Sequence, residues 1–338
     1  MRQIAGFLVA TFALSAPLPA VSVESSATSK LDRAPPSVEA KIPLGDVKGR
    51  IDHLAFDPRR QRLYVAELGN NSVGIVDLAA REVIRTVAGF HEPQGIGYEP
   101  TTDAVYVASG GDGAVRVFRG EDFSALGEIA LGEDADNVRI DKQAQRVYVG
   151  FGDGALAVID AATRRKLVDI ALKGHPESFQ LDPAGDLVFV NVPDAGQIAV
   201  VTRSAQRQVS SWPTGKLRAN YPLTLDPTKG RVISIFRHPA RLEAFEERSG
   251  RNLGGIDVCG DSDDVFVDSK RQRLYVICGE GFVDVFDSSG EAYTRIGRLT
   301  TSAGSRTGLF VPELDRLLIA IRASGKEAAA IWILRPDP

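Results

Sequence analysis

A phrase of roughly 42 residues recurs seven times along this chain, and a period of that length restricts the fold to a repeat architecture. The marker is an acidic residue, often followed by proline, that closes one apolar run and precedes the next. It reads Asp57-Pro58, Glu99-Pro100, Asp141-Lys142, Asp182-Pro183, Asp226-Pro227 and Asp268-Ser269, with a decayed seventh copy at Pro312-Glu313. After each marker comes a run rich in β-branched residues: RLYVAE from Arg62, AVYVAS from Ala104, RVYVGF from Arg146, LVFVNV from Leu187, RVISIF from Arg231, RLYVIC from Arg273 and RLLIAI from Arg316. A Gly/Asn/Asp turn and a second such run follow, from VGIVDL in the first repeat to AIWILR in the last. Short alternating runs bounded by turn residues are strands. Four of them per period make one blade of a β-propeller. The expected fold is all-β: a seven-bladed β-propeller with four-stranded blades.

Each full repeat ends in an outer strand, such as REVIRTV from Arg81, RKLVDIAL from Arg165 or YTRIGRL from Tyr293. The seventh lacks one, and VEAKIPLG near the start of the chain matches no other slot. Residues 38–45 are therefore expected to pair with AIWILR and close the ring. An open ring would leave an unpaired strand edge, which is prone to aggregation.

Residues 1–22 stand apart. Arg2 precedes an apolar run, IAGFLVATFALSA, too short to span a bilayer. The small residues of LPAVS then suit cleavage after Ala20 or Ser22, so the segment reads as a secretory signal peptide, with an uncleaved anchor as the alternative. Residues 23–36 read as a flexible polar leader, and 37–338 as a single propeller domain. The expected location is periplasmic or secreted, with no membrane span after signal removal. Hydrophobic content of 43% suits an all-β chain with a sizeable core. The formal net charge of −4, without a basic stripe, argues against nucleic acid or anionic membrane as the main partner. Neither cysteine belongs to CxxCH, which argues against covalent haem. Cys259 and Cys278 are expected to end strands on one face of the ring, where a disulfide is feasible in an exported chain. Two buried thiols packed as small apolar groups is the other reading.

Alternating strand directions put the outer-to-inner and second-to-third loops on one face. Aligned on the marker, the repeats expose a column where each inner strand begins beside the central channel. It holds Asp52, Gln94, Asp136, Glu177, Tyr221, Asp263 and, in the shorter last repeat, Thr307 or Arg306. The next column holds His53, Gly95, Asn137, Ser178, Pro222 and Asp264, and one turn earlier lie His91, Glu92, Asp134, His175, Arg218 and Asn220. Deeper positions are apolar. The channel mouth is thus expected to be acidic and hydrogen-bonding. Converging carboxylates either keep protons or gather a cation. Asp136, Asn137, Glu177 and Asp263 offer hard oxygens suited to Ca²⁺ or another divalent ion. The bland alternative is polar residues that bind water and cap strand ends. His53, His91 and His175 form no compact motif for a transition metal, and His238 reads as a loop residue.

The second-to-third loops add Glu67, Asn70, Asn71, Asp112, Asp153, Asn191, Asp194, Glu280 and Lys326, mostly beside glycine, as tight turns require. Arg237, His238 and Arg241, with Arg218 and Arg306, make the one basic spot on this face, a candidate anion site. Charged turns such as DPRRQR and DSKRQR on the opposite face read as solvated hairpins.

The phrases RLYVAE, AVYVAS and RVYVGF, followed by VDL- or IDA-type strands, resemble the YVTN-repeat propellers, also called YncE-like proteins, over residues 38–338. The resemblance implies an exported, often periplasmic propeller, some members of which bind macromolecules, single-stranded DNA included. This chain shows no basic, aromatic groove for DNA. Two functions stand open. One is a monomeric binding or scaffold protein that takes a protein or small-molecule ligand at the mouth, through Asp52, Gln94, Asp136, Glu177, Tyr221, Asp263 and Arg306. The other, by general similarity to propeller lactonases, is a hydrolase whose divalent ion polarises a carbonyl while Asp52 or His53 acts as base. A redox role finds no haem or quinone motif.

Overall fold

The computed structural model describes residues 35–325 and 327–337, with Met1, Gln3 and Gly6 besides. The chain divides into two units, Met1–Asp32 and Arg33–Pro338, and the propeller lies in the second. The expected signal peptide, its cleavage sites at Ala20 and Ser22, most of the leader and Lys326 fall outside the described residues.

The sequence periodicity becomes seven four-stranded antiparallel sheets. In the first six blades the strands run outward from the channel in chain order. Blade 1, for example, is Leu54–Asp57, Arg62–Glu67, Ser72–Asp77 and Glu82–Ala88. The seventh takes three strands from the end of the chain and its outer strand from the beginning. Ser37–Pro43 pairs antiparallel with Ala330–Arg335, from Ser37 opposite Arg335 to Pro43 opposite Ala330. The ring is closed as the sequence implied, with the strand ending at Pro43 and Leu44 adding one more bond to the Ala329 carbonyl. A side-chain clasp backs the ladder. Glu39 on the closing strand binds Arg316 at 2.7 Å and Arg335 at 3.1 Å within its blade, and Arg81 of blade 1 at 2.8 Å.

The repeat marker has a local physical cause. Its carboxylates accept backbone N–H groups of the turn that follows: Asp57 from Arg59 at 2.8 Å, Asp141 from Ala144 at 2.9 Å, Asp268 from Arg271 at 3.1 Å, Glu99 from Thr101 at 3.0 Å. Such side-chain caps satisfy donors that a hairpin leaves open. The tyrosine of the second-strand phrase works between blades. Tyr64 donates to the Gly120 carbonyl and Tyr106 to the Ala161 carbonyl, each one blade onward.

The core is not one cluster but seven, each filling the gap between neighbouring sheets. Leu63, Val76, Leu318 and Ile331, for instance, lie between blades 1 and 7. The outer strands carry a feature that periodicity does not announce. Each of the seven outer pairings has a register shift, as between Ile75 and Val76 in blade 1 or Val38 and Ala40 on the closing strand. Bulges twist an edge away from further pairing, so the outer edge of each blade is irregular.

Two expectations need correction. Arg60 and Arg271, read as solvated hairpin charges, are fastened between blades. Arg60 binds Asp57 and Asp103 at 2.7 and 2.8 Å, and Arg271 binds Asp268 and Asp315 at 3.0 and 2.6 Å. Cys259 lies two residues beyond the outer strand Asn252–Asp257 rather than ending it, and is disulfide-bonded to Cys278 at the end of Arg273–Cys278. Among the described residues no helix is long and apolar enough to cross a membrane.

Removing residues 1–45 is expected to lower the thermal midpoint far more than removing 1–34, because only the former opens blade 7. Equal midpoints for the two truncations would refute the closure role. Replacing both cysteines by serine opens a loop of 19 residues. The expected loss in denaturant titration is about 3 kcal/mol, by chain entropy.

Candidate functional site

Backbone pairing fixes the channel-mouth residues. The N–H groups of Asp52, Asp136 and Glu177 donate to the carbonyls of Ala66, Gly150 and Asn191, at or near the ends of the neighbouring second strands. The column read from the sequence is thus a structural ring, and its seventh member is Arg306. Thr307, one residue on, is buried and donates to the Ile51 carbonyl at 3.2 Å, joining blade 7 to blade 1.

One side of the ring is an arc of alternating charge. Arg306 lies 3.0 Å from Asp261, and Asp261 lies 3.2 Å from Arg237. Arg237 bonds Asp263 at 2.7 Å, Asp263 lies 3.8 Å from Arg50, and Arg50 lies 3.0 Å from Asp52. Arg237 also stacks over the Tyr221 ring at 4.2 Å, a cation–π contact. The basic spot expected to hold an anion is therefore spent within the protein: Arg237 and Arg306 in this arc, Arg241 on Glu243 and Asp257, and Arg218 on the Gly215 and Leu217 carbonyls. His238 is exposed at the end of its strand.

The other side carries acids without arginines. Gln94 donates to Asp134 at 3.0 Å, and Asp134 lies 3.7 Å from His175. His175 Nδ1 meets the Gly152 carbonyl at 2.7 Å, so Nδ1 carries the proton. Among the described residues, Asp136 and Glu177 have no ion pair with Arg or Lys. Asp136 is 7% exposed and its Oδ1 has no hydrogen-bond partner, as is true of the Asn137 Oδ1 beside it.

Electrostatics follow this division. Burial first, then Glu177 and Asp52, hold Asp136 well above the usual carboxyl range. Burial, with Asp263 and Asp52 behind it, pushes Glu177 up to about 8. Asp52 and Asp263 are also raised by burial, against the pull of Arg50 and Arg237. Arg50 is raised as well, which for a guanidinium favours the charged form. Burial opposes its charge, but Asp52, Asp263 and Asp136 keep its pKa above the ordinary value. Deeper in the channel, Asp264 is raised well above its ordinary value by burial, although the Gly308 N–H bonds it at 2.8 Å.

The candidate bases, Asp52 and His53, stand side by side without a hydrogen bond. His53 lies 4.0 Å from Asp52 and 3.9 Å from Asp264, yet burial and the nearby Arg139 push its pKa down to about 4. It is neutral at pH 7, and these contacts are dipolar rather than ionic. Of the four candidate metal ligands, Asp136, Asn137 and Glu177 lie on the uncompensated side, whereas Asp263 is committed to Arg237. Among the described residues no three His, Cys, Asp or Glu side chains are gathered closely enough to hold a metal ion.

Sequence reasoning missed Arg50 and Arg139. Arg139 bonds the Val138 carbonyl at 3.0 Å and Ser178 Oγ at 3.2 Å and lies over the Phe179 ring. No motif surrounds either residue; only their phase relative to the acidic column would have marked them. Asn191, read as a turn residue, is fully buried and donates to the Tyr221 and Pro222 carbonyls at 3.1 and 3.0 Å, fixing the Tyr221 segment.

The chain is 22% identical to the uncharacterized protein YncE of Salmonella typhi and 26% identical to that of Salmonella typhimurium, each over 254 residues. Those stretches cover 73% of this chain and 63% of each relative, so the match spans under two thirds of their length. The chain is a seven-bladed β-propeller that is similar to these YncE proteins. No family model matches it. The ring also superposes on a chain of the mitotic checkpoint complex (TM-score 0.75, 12% identity, 96% of this chain and 99% of that one). It superposes likewise on hydrazine synthase of Kuenenia stuttgartiensis (TM-score 0.71, 16% identity, 82% of this chain and 93% of that one). At such identities the likeness is one of fold.

The raised Glu177 sets a pH signature. A carboxyl that holds its proton more tightly when folded stabilises the fold at low pH, and that contribution is lost as pH rises from the unfolded value towards about 8. Glu177→Gln is therefore expected to melt near the wild type at about pH 5 and a few degrees higher at about pH 9. A difference that does not change between the two pH values would contradict this assignment.

Proposed function

We propose that this propeller is a binding protein that engages its ligand or partner at the channel-mouth face, without catalysis. The observation that carries the reading is the division of the mouth. Asp52 and Asp263 are tied into an arginine arc that holds them in place, while Asp136 and Glu177 stand opposite with no ion-paired arginine or lysine among the described residues and hold their protons more tightly than an ordinary carboxyl. Such a surface is preorganised and lacks one kind of charge, which suits recognition. General-base work asks for a group poised near the operating pH and in reach of a reacting proton. His53 is neutral but enclosed, and Asp52 is nearly inaccessible, with Arg50 against it.

A second reading keeps the metal-assisted hydrolase. It is favoured by the orphaned Oδ1 atoms of Asp136 and Asn137, hard donors of the kind Ca²⁺ takes. Bound there, an ion would polarise a substrate carbonyl. The two readings separate on a panel of lactones assayed with Ca²⁺, Mn²⁺ or Zn²⁺. The binding reading expects hydrolysis at the buffer rate. Metal-dependent turnover that Asp136→Asn abolishes would replace it with the hydrolase.

A further inference from the structure

The joint between blades 5 and 6 departs from the pattern seen between blades 1 and 2. There, Tyr64 of the second-strand phrase donates to the Gly120 carbonyl and stacks on Phe123 of the 120–123 turn, with 5.9 Å between ring centres. Blade 6 repeats that turn at 290–293, as Gly-Glu-Ala-Tyr against Gly-Glu-Asp-Phe, but blade 5 puts Ile233 where Tyr64 stands. Arg231 keeps the part that Arg62 plays. Arg62 donates to the Glu121 carbonyl at 2.6 Å, and Arg231 to the Glu291 carbonyl at 2.9 Å. Between this turn and the outer strand of blade 5, Asn252–Asp257, a recess of about 380 Å³ opens. Gly254 lines it, and a Cβ built there would meet no atom within 4 Å.

The floor of the recess is short of an acceptor. Arg231 lines it and is 5% exposed, yet the carboxylate that meets it, Glu291 Oε2 at 2.5 Å, belongs to a side chain almost wholly in solvent. Such a pair contributes little and is readily displaced. Asp226 also acts on Arg231, and the neighbouring Lys229 spends its ammonium on the Ser288 and Gly290 carbonyls. Tyr293 supplies the independent observation. It lines the same recess and is buried, and its Oη has no hydrogen-bond partner among the described residues. Burial raises its pKa, so the phenol keeps its proton. A guanidinium only donates, so Arg231 beside it leaves that O–H without an acceptor.

Chemistry then selects the class of ligand. Two donors, one of them charged, match the two oxygens of a carboxylate. Leu253, Ile256 and the Tyr293 ring offer apolar contact next to them. The volume is that of a small-ligand pocket. A bare phosphate or sulfate would ask for more donors and leave the apolar wall in water.

We infer that this recess takes a monocarboxylate with an apolar body, its carboxylate displacing Glu291 from Arg231 and accepting the Tyr293 O–H, its body over Leu253 and Gly254. A free aliphatic or aromatic acid and the C-terminal residue of a polypeptide both carry this chemistry. The site lies at the hairpin end of its blade, since Arg231 opens the strand that Arg237 and His238 close at the mouth. It is therefore independent of the function proposed for the mouth.

Isothermal titration of the full chain with 3-phenylpropionate, with its amide, and with acetyl-Ala-Leu as free acid and as amide tests it. Saturable binding of at least one acid is expected, and of neither amide. Glu291→Ala removes the competing carboxylate and is expected to tighten binding several-fold, whereas Leu253→Glu weakens it at least tenfold. Both positions are exposed, so neither change disturbs the fold. Tighter binding of 3-phenylpropionate identifies a free acid as the source, and tighter binding of the peptide a polypeptide end; both support the site. No saturable binding of either acid, amides that bind as well as acids, or either variant failing to shift the affinity in its stated direction overturns it.

Discussion

Pairing of Ser37–Pro43 with Ala330–Arg335 is the constraint on which the rest depends. A blade buries little by itself, because its apolar faces need a neighbour on each side. Seven such interfaces exist only when the last blade meets the first. The closing strand converts a linear stack into a ring, and Glu39, held by three arginines, joins strand, blade 7 and blade 1 at once. Closure also forces the inner strands to converge. Seven strand starts, each bearing a side chain chosen for its own blade, then share one narrow opening.

The electrostatics of the mouth follow from that convergence. Burial raises the pKa of Asp52, Asp136, Glu177 and Asp263, and because the ring brings them together, neighbouring acids add to the rise at Asp136, Glu177 and Asp263. Within the arc Arg306–Asp261–Arg237–Asp263–Arg50–Asp52 the largely buried Arg237–Asp263 pair is the firm link, while Arg50 and Asp261 are partly exposed and screened by water. Arg50 and Arg306 precede the inner strands of blades 1 and 7, and Arg237 lies near the end of the second strand of blade 5. Blades 2, 3 and 4 supply no arginine that is ion-paired to Asp136 or Glu177 among the described residues, Arg139 of blade 3 bonding Val138 and Ser178 instead. The asymmetry is therefore written blade by blade, on a scaffold that is symmetric.

The scaffold was largely readable from the chain, because periodicity is a one-dimensional property. Asp57 and its equivalents recur since every turn needs the same cap, and the unmatched segment near Val38 stood out because six outer strands had partners in sequence and the seventh did not. The acidic column was readable for the same reason. What phase alone could not tell was the direction of long side chains. Arg237 sits in a sequence that reads as an exposed basic turn, and only the packed ring turns it onto Tyr221 and Asp263. Arg60 and Arg271 misled in the same way. The turns held a further surprise: Gln61, Gln145 and Gln272 adopt φ of 51, 53 and 52°, where blade 5 has Gly230 at 58°. Glutamine gives no hint of a left-handed residue, since that conformation normally favours glycine or asparagine.

These observations bear on why the mouth is the first place to look for function. The outer strands are bulged in every blade, and seven apolar clusters fill the inner gaps between blades. The hairpin face is occupied by its own ion pairs at the joints of blades 1 and 2 and of blades 6 and 7, Arg60 with Asp103 and Arg271 with Asp315. At the mouth an arginine-paired arc faces carboxyls that have no ion pair with arginine or lysine among the described residues. The turn acids are capped by backbone donors, whereas Asp136 Oδ1 and Asn137 Oδ1 at the mouth have no hydrogen-bond partner among the described residues.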